Sequence, residues 1–100
     1  MGKSQYFDEV FTEIQETKIW YKKQKEGLEV EFAFAIEKVI EQVLKMPSAY
    51  STRYKNVRIA HPKTFPYNIH FYIDEDLKTV VFTAIVHNKR NPKLAISRII

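Results

Sequence analysis

A β-hairpin between residues 67 and 87 constrains the fold of this 100-residue chain more than any other feature. In its first arm, residues 67–73, large apolar side chains occupy every second position and polar ones mostly lie between them, as in a half-buried strand. An acidic turn at residues 74–76 then reverses the chain. The second arm, residues 79–87, is apolar on both faces over most of its length, which predicts a central strand. Pro92 would end this strand region.

Two helices are predicted ahead of the hairpin. Apolar residues recur at helical spacing over residues 8–25, with Asp8 as a cap, and Gly27 interrupts the pattern. A continuous apolar stripe then runs from Leu28 to Met46, where Pro47 ends it. These two segments should form an antiparallel helical pair that covers one face of a sheet.

The remaining segments are shorter. Residues 3–7 are compatible with an opening strand, residues 48–56 with a polar and aromatic connection, and residues 57–61 with a further strand. Pro62 and Pro66 bracket the turn into the hairpin. Residues 93–100 are compatible with a short terminal helix. The predicted fold is therefore α+β, with an N-terminal helical hairpin packed on a twisted antiparallel sheet in the order β-α-α-β-β-β, as one domain over residues 1–100.

Strict alternation in the three strands predicts one face packed on the helices and one open face. The helix-covered face would comprise Val57, Ile59, Tyr67, Ile69, Phe71, Val80, Phe82 and Ala84. The open face would present Arg58, Asn68, His70, Tyr72, Thr83, Ile85 and His87, with Arg90 at its edge. Cationic, aromatic and proton-transfer groups would thus share one surface, and functional side chains often lie where such a strand ends in a loop.

Composition narrows the classes of protein. The net charge is +4, and residues 47–100 carry nine Lys and Arg against three acidic residues, which suits an acidic partner or nucleic acid as well as it suits plain solubility. The chain has no Cys, which excludes disulfides, thiolate catalysis and Cys-rich zinc sites. No signal peptide and no apolar stretch of the ~20 residues that span a bilayer are visible. A cytoplasmic protein without membrane contact is expected.

Several motifs resemble the RelE/ParE superfamily of toxins from bacterial type II toxin–antitoxin modules, often described as plasmid stabilisation proteins. The motifs are Trp20-Tyr21, residues 24–28, Pro47 with Tyr50, Phe65-Pro66-Tyr67, and His87 with Arg90-Asn91-Pro92. Their order and spacing cover nearly the whole chain. The resemblance implies the fold predicted above and a cognate antitoxin that wraps the toxin. A homodimer is also compatible with it.

Two activities are implied by this resemblance. RelE-like members cleave messenger RNA on the ribosome, and ParE-like members inhibit DNA gyrase by binding it. RelE-like ribonucleases typically carry an arginine where this chain has Asn68, and often a tyrosine near the terminal helix, where residues 93–100 have none. The ParE-like activity is therefore preferred, with the ribonuclease as the alternative and a non-toxic antitoxin-binding relative as a third.

Each activity implies its own residues. RNA cleavage at the 2′-hydroxyl requires a base, an acid and cations around the phosphate. The candidates for those roles are His70, His87, Arg58 and Arg90. The candidates for binding a target or nucleic acid are Arg58, Tyr72, Lys89, Arg90 and Lys93. No cofactor is expected, and the three His lack the spacing of metal ligands, so no metal is expected either.

Simpler roles are open for the same residues. His70 is more typical of an exposed sheet residue than of a general base. His87 is also compatible with orienting the loop at Arg90. Trp20 and Tyr21 are expected to pack at the junction of the helical hairpin.

Overall fold

The computed structural model of the protein describes residues 2–90 and 92–99. It has an α+β fold in which the predicted element order is confirmed, with one additional strand between the helical pair and the hairpin. Its helices and strands are β1 (Lys3–Tyr6), α1 (Asp8–Gln24), α2 (Leu28–Lys45), β2 (Thr52–Tyr54), β3 (Val57–Ala60), β4 (Tyr67–Asp74), β5 (Thr79–His87) and α3 (Lys93–Ser97). Strand β2 and a one-turn 3₁₀ helix, Pro47–Ala49, lie in the segment that the sequence predicted as a connection.

The five strands form one mixed sheet in the order β1-β5-β4-β3-β2. Strand β1 pairs with β5 in parallel, and the other neighbours are antiparallel. Eight of the nine residues of β5 are buried, which confirms the prediction of a central strand. Strand β1 pairs with β5 only as far as Phe82, after which helix α1 follows the same edge.

The helical hairpin packs on one face of the sheet through an aromatic cluster. Phe32 of α2 is fully buried, and its ring centroid lies 5.4 Å from each of Tyr21, Phe65 and Tyr67. Gly27 joins the two helices with φ at 94°, a left-handed conformation that glycine adopts without a steric penalty. Asp8 is the first residue of α1 and makes no side-chain cap bond, so the predicted Asp8 cap is wrong.

A β-bulge at Thr83 shifts the alternation of β5. His70 pairs with Ala84 and Phe71 pairs with Phe82, so Thr83 is the extra residue on its strand. Beyond the bulge, Ile85 faces the helical hairpin with its partner Ile69, whereas Ala84 packs against Ala95 of α3 on the other face. The prediction that Ala84 lies under the helical pair, with Ile85 and His87 opposite, is therefore wrong.

The side chains of β3 lie on the opposite faces of the sheet from those predicted. Arg58 pairs with Phe71, and Ala60 pairs with Ile69, so both side chains lie on the face of the helical hairpin. Val57 and Ile59 pair with Tyr72 and His70 on the other face. The proposed open face therefore does not form: Arg58 and His87 lie on one side of the sheet, and His70 lies on the other.

Candidate functional site

The described residues form a cleft of about 440 Å³ where β5 ends, between helix α1 and the loop that follows the strand. It combines aromatic, cationic and acidic side chains around a small apolar floor. Its walls are formed by Glu13, Glu16, Thr17, Trp20, Tyr67, Ile85, His87, Lys89 and Arg90. Three of the candidate residues from the sequence, His87, Lys89 and Arg90, meet here.

Helix α1 contributes a whole stripe to the cleft that the sequence analysis did not identify. Glu13, Glu16, Thr17 and Trp20 follow the spacing i, i+3, i+4, i+7, which places them on one helical face. Trp20 is 54% exposed and stands edge-on to the buried Tyr21, at 5.1 Å between ring centroids. The prediction of packing is confirmed for Tyr21 but is wrong for Trp20, whose indole is available to a partner. A helical-wheel comparison of Trp20 with its acidic neighbours would have shown this stripe.

His87 is held in a fixed orientation by two contacts. Its ring stands edge-on to Tyr67, at 5.1 Å between ring centroids, and its Nδ1 accepts a hydrogen bond of 3.1 Å from the backbone N–H of Lys89. Because Nδ1 is the acceptor, the neutral imidazole carries its proton on Nε2. The lone pair of a general base is thus already engaged by the backbone of the loop. In this arrangement His87 connects Tyr67 to the loop at Lys89, and its Nδ1 is not free to accept a proton from a substrate.

The loop after β5 presents its two cations at the mouth of the cleft. The backbone N–H of Asn88 donates to the carbonyl of Pro66 at 2.8 Å, and that of Arg90 donates to the carbonyl of His87 at 3.0 Å. These bonds fix the backbone while the side chains of Lys89 and Arg90 stay exposed. The two cations therefore project into solvent from a loop whose backbone is hydrogen-bonded. Such exposed positive charges attract anionic groups of a partner.

Glu13, one of the residues that line the cleft, forms an ion pair with Arg98 of the C-terminal segment. Arg98 donates from Nη1 and Nη2 to the two carboxylate oxygens of Glu13, at 3.1 and 2.8 Å. Arg98 also donates to the carbonyl of Thr83, and Glu13 accepts the backbone N–H of Ile85 at 3.0 Å. These two side chains therefore bind backbone groups of β5 that lie beyond the end of its pairing with β1. Glu13 thus has a structural role within the cleft, and Glu16 is its exposed acidic residue.

We expect Glu13→Ala to destabilise the fold by roughly 2 kcal/mol, because it leaves Arg98 without its bidentate carboxylate partner and the Ile85 N–H without its acceptor. Glu9→Ala is the matched control, since Glu9 is on the same helix and reaches the same Arg98 at 3.9 Å while its side chain is 53% exposed. The exposed ion pair between Glu9 and Arg98 should contribute less than about 0.5 kcal/mol to the free energy of unfolding. Urea unfolding of both variants measures the difference. Equal losses for the two variants would contradict the proposed role of Glu13.

The other candidate residues lie away from the cleft. His70 is only 1% exposed, in contrast to the exposed position expected from the sequence, and its Nδ1 lies 2.7 Å from the Tyr54 hydroxyl. Burial lowers the pKa of His70 to about 4. Tyr72 is half-buried on the same face as His70, and Lys93 begins α3. Asn91 of the sequence motif lies outside the described residues.

The side chain of Arg58 is held near the edge of the sheet by hydrogen bonds to the backbone. Its guanidinium donates to the backbone carbonyls of Tyr50 and, at 3.4 Å, Ser48. These contacts fasten the segment after α2 to strand β3. Arg58 Nε is buried without a hydrogen-bond partner among the described residues. Arg58 therefore has little freedom to reach a ligand at the cleft, which lies at the end of β5.

The four residues proposed for acid–base chemistry do not come together in one place. Of the four residues proposed for RNA cleavage, only His87 and Arg90 line the cleft. His70 is on the opposite face of the sheet, and Arg58 is held by backbone carbonyls. Cations beside an exposed indole can bind an anionic or a mixed polar surface without any proton transfer.

Comparison with known proteins identifies the fold. The crystal structure of the isolated E. coli RelE toxin matches this chain over 100% of both chains, with a TM-score of 0.63 and 15% sequence identity. No family model matches the chain, and no curated protein matches it in sequence. The protein therefore has the RelE fold from end to end.

Proposed function

We propose that this protein is the toxin of a bacterial type II toxin–antitoxin module, cytoplasmic and neutralised by a cognate antitoxin. The observation that carries the proposal is the likeness of its fold to the E. coli RelE toxin, which covers 100% of both chains. The sequence motifs around Trp20, Phe65 and His87 support the same superfamily. Among the described residues, no helix is both long and apolar enough to cross a membrane.

We further propose that the toxin acts by binding, as ParE-like members of the superfamily do, with DNA gyrase as its target. The dispersion of the four candidate catalytic residues supports this mode. The engaged Nδ1 of His87 supports it as well, because a ribonuclease would need that histidine as a base or an acid. Trp20, Lys89 and Arg90 would then form the contact with the target, since aromatic and arginine side chains often dominate binding energy at interfaces.

The direct test is DNA supercoiling by purified gyrase in the presence of the purified protein. We expect inhibition that increases with protein concentration and persists when the salt concentration is raised moderately, because non-specific binding of a basic protein to DNA weakens steeply with salt. Full supercoiling at every protein concentration, with gyrase in the assay shown to be sensitive to a known inhibitor, would refute gyrase as the target.

The cations at the mouth of the cleft allow a more local prediction. Replacing both Lys89 and Arg90 by alanine should weaken gyrase inhibition by at least about tenfold, or 1.4 kcal/mol, through the loss of two charged contacts. Replacing Lys22 and Lys23 by alanine removes the same charge from the exposed end of α1, outside the cleft lining. That control should inhibit as the unmodified protein does. Equal weakening in both pairs would mean that only net charge matters.

The alternative is a RelE-like ribonuclease acting on ribosome-bound messenger RNA. Two observations favour it: the matched structure is RelE itself, and His87, Lys89 and Arg90 converge in one cleft. Primer extension on messenger RNA after induction separates the two modes. New 5′ ends that depend on His87 would establish cleavage, whereas unchanged messages together with inhibited supercoiling would establish binding.

A further inference from the structure

Helices α1 and α2 form a groove of about 420 Å³ between them, which is open to solvent. The groove is separate from the cleft at the end of β5, because the two linings share no residue. Apolar side chains form most of its surface, and charged side chains lie on both of its walls. This interhelical groove is lined by Tyr6, Ile14, Lys18, Ala33, Ile36, Glu37, Ile40 and Glu41.

Exposed apolar side chains extend the interhelical groove along both helices. Phe11, Ile19 and Val30 are each more than half exposed. The ring of Phe11 lies 5.6 Å from that of Tyr6, so Phe11 continues the groove at the end where α1 begins. Val30 lies one turn before Ala33 on α2 and continues it towards the other end. Exposed apolar surface that is continuous in this way marks a contact with another molecule.

The charges of the interhelical groove are divided between its two walls. Lys18 lies on the wall formed by α1, whereas Glu37 and Glu41 lie on the wall formed by α2. Among the described residues, none of these three side chains forms an ion pair within the chain. They can therefore pair with a molecule that carries an acid opposite Lys18 and a base opposite the glutamates. A second copy of the same surface has this arrangement of charges.

A two-fold axis parallel to the helices brings the opposite charges of two copies together. Such an axis places α1 of each copy over α2 of the other, so Lys18 of each copy faces Glu37 and Glu41 of the other copy. An axis across the helices would instead place α1 over α1 and α2 over α2. Like charges would then meet, which is unfavourable. The charges thus select the parallel axis.

The size of the helical hairpin sets the strength that such a contact can reach. The helices have 17 and 18 residues, so each is about 26 Å long. Two helices about 10 Å apart present a face about 20 Å wide, and two such faces would bury roughly 1,000 Å² in total. This area is at the lower end for a specific interface, so a weak and reversible contact is expected.

We propose that the protein forms a two-fold symmetric dimer through this face of the helical hairpin. Phe11, Ile14 and Ile40 of the two copies pack against each other, and Lys18 of each copy pairs with the glutamates of the other. The inference goes beyond the proposed function, because it holds whichever target the cleft at the end of β5 binds. Each dimer carries two copies of that cleft.

Sedimentation equilibrium of the full chain tests the dimer directly. We expect the mean mass to rise from that of a monomer towards that of a dimer between about 10 µM and 1 mM, the range in which a weak dimer dissociates. A protein that remains a monomer at about 1 mM would overturn the proposal and leave the face to a different partner. Dimers that the alanine variant of Lys89 and Arg90 abolishes would overturn it too, by assigning the contact to the cleft.

Charge reversal tests the arrangement of the two copies. Lys18→Glu alone should weaken the dimer by at least about tenfold, and so should Glu37→Lys combined with Glu41→Lys, because each change places like charges opposite each other. A mixture of these two variants should dimerise again, since the new carboxylate of one faces the new ammonium groups of the other. Restoration in the mixture also shows that both variants are folded.

Lys55→Glu is the matched control for this experiment. It makes the same change of charge at an exposed position between β2 and β3, outside the interhelical groove, and should leave the dimer unchanged. Equal weakening by Lys55→Glu and Lys18→Glu would overturn the proposal, because only net charge would then matter. A mixture of the two charge-reversed variants that stays monomeric would overturn the proposed two-fold arrangement.

Discussion

Phe32→Ala is expected to destabilise the protein by roughly 3–5 kcal/mol, the range observed when a buried aromatic side chain is removed from a core. Phe32 is fully buried and touches Tyr21 of α1, Phe65 of the loop before β4, and Tyr67 of β4. Its removal leaves a cavity where the two helices meet the sheet. Since small domains are stable by only about 5–15 kcal/mol, this loss would be a large fraction of the total free energy of unfolding.

Phe34→Ala is the matched control for this prediction. Phe34 lies two residues further along the same helix, but its side chain is 59% exposed, so the same substitution should cost less than about 1 kcal/mol. Urea denaturation monitored by Trp20 fluorescence measures both variants. Comparable losses at the two positions would contradict the packing described for the helical hairpin.

Acidification from pH 7 to pH 4 is expected to remove about 3 kcal/mol of stability through His70, the free-energy equivalent of lowering its pKa from 6.5 to about 4. The cause is burial, which disfavours the imidazolium in the folded state, so the unfolded chain takes up the proton first. This contribution is complete above pH 6.5, declines as the pH falls towards 4, and changes no further below that.

Unfolding free energies measured at several pH values with His70→Asn test this assignment. The substitution itself costs stability, because Tyr54 loses its imidazole partner, but the variant should show a shallower loss between pH 6.5 and 4. His61→Asn replaces an exposed histidine and should keep the steep pH dependence of the unmodified protein. A His70 variant with an unchanged profile would assign the acid sensitivity to other groups.

Local patterns predicted the elements of this fold well, because the spacing of apolar residues reflects burial directly. The alternation of residues 67–73 and the apolar run of residues 79–86 predicted two strands, and both strands are confirmed, the second one as a central strand. The first was predicted to be half-buried with one open face, but none of its residues is exposed. Strand β2, only three residues long and carrying no apolar alternation, gave no such signal.

The assignment of faces failed for two physical reasons. A bulge adds one residue to a strand, and the apolar pattern of the sequence does not reveal it. In β5 the extra residue is Thr83, and every later side chain of the strand therefore lies on the face opposite to the predicted one. In β3, the guanidinium of Arg58 donates from Nη1 to carbonyls of the segment after α2, a contact that periodicity does not encode. Helix α3 also covers part of the second face, so apolar residues were needed on both.

The candidate site was predicted only where its residues are close in sequence. His87, Lys89 and Arg90 follow one another at the end of a strand, and the structure brings them together as expected from that position. Glu13 and Arg98 come from opposite ends of the chain and meet only because β1 ends at Tyr6, opposite Phe82, and α1 continues along the edge of β5. Such a contact between distant segments depends on the tertiary fold and has no local signature.

The central claim is that this protein is a toxin, and induced expression in a bacterial host tests it most directly. Viable counts would be followed for the unmodified protein and for the variant lacking the Lys89 and Arg90 side chains, at matched levels of folded protein. We predict that the unmodified protein stops growth and that the variant, with its target-binding cations removed, does so far less. Normal growth in the presence of abundant, folded, unmodified protein would contradict the account.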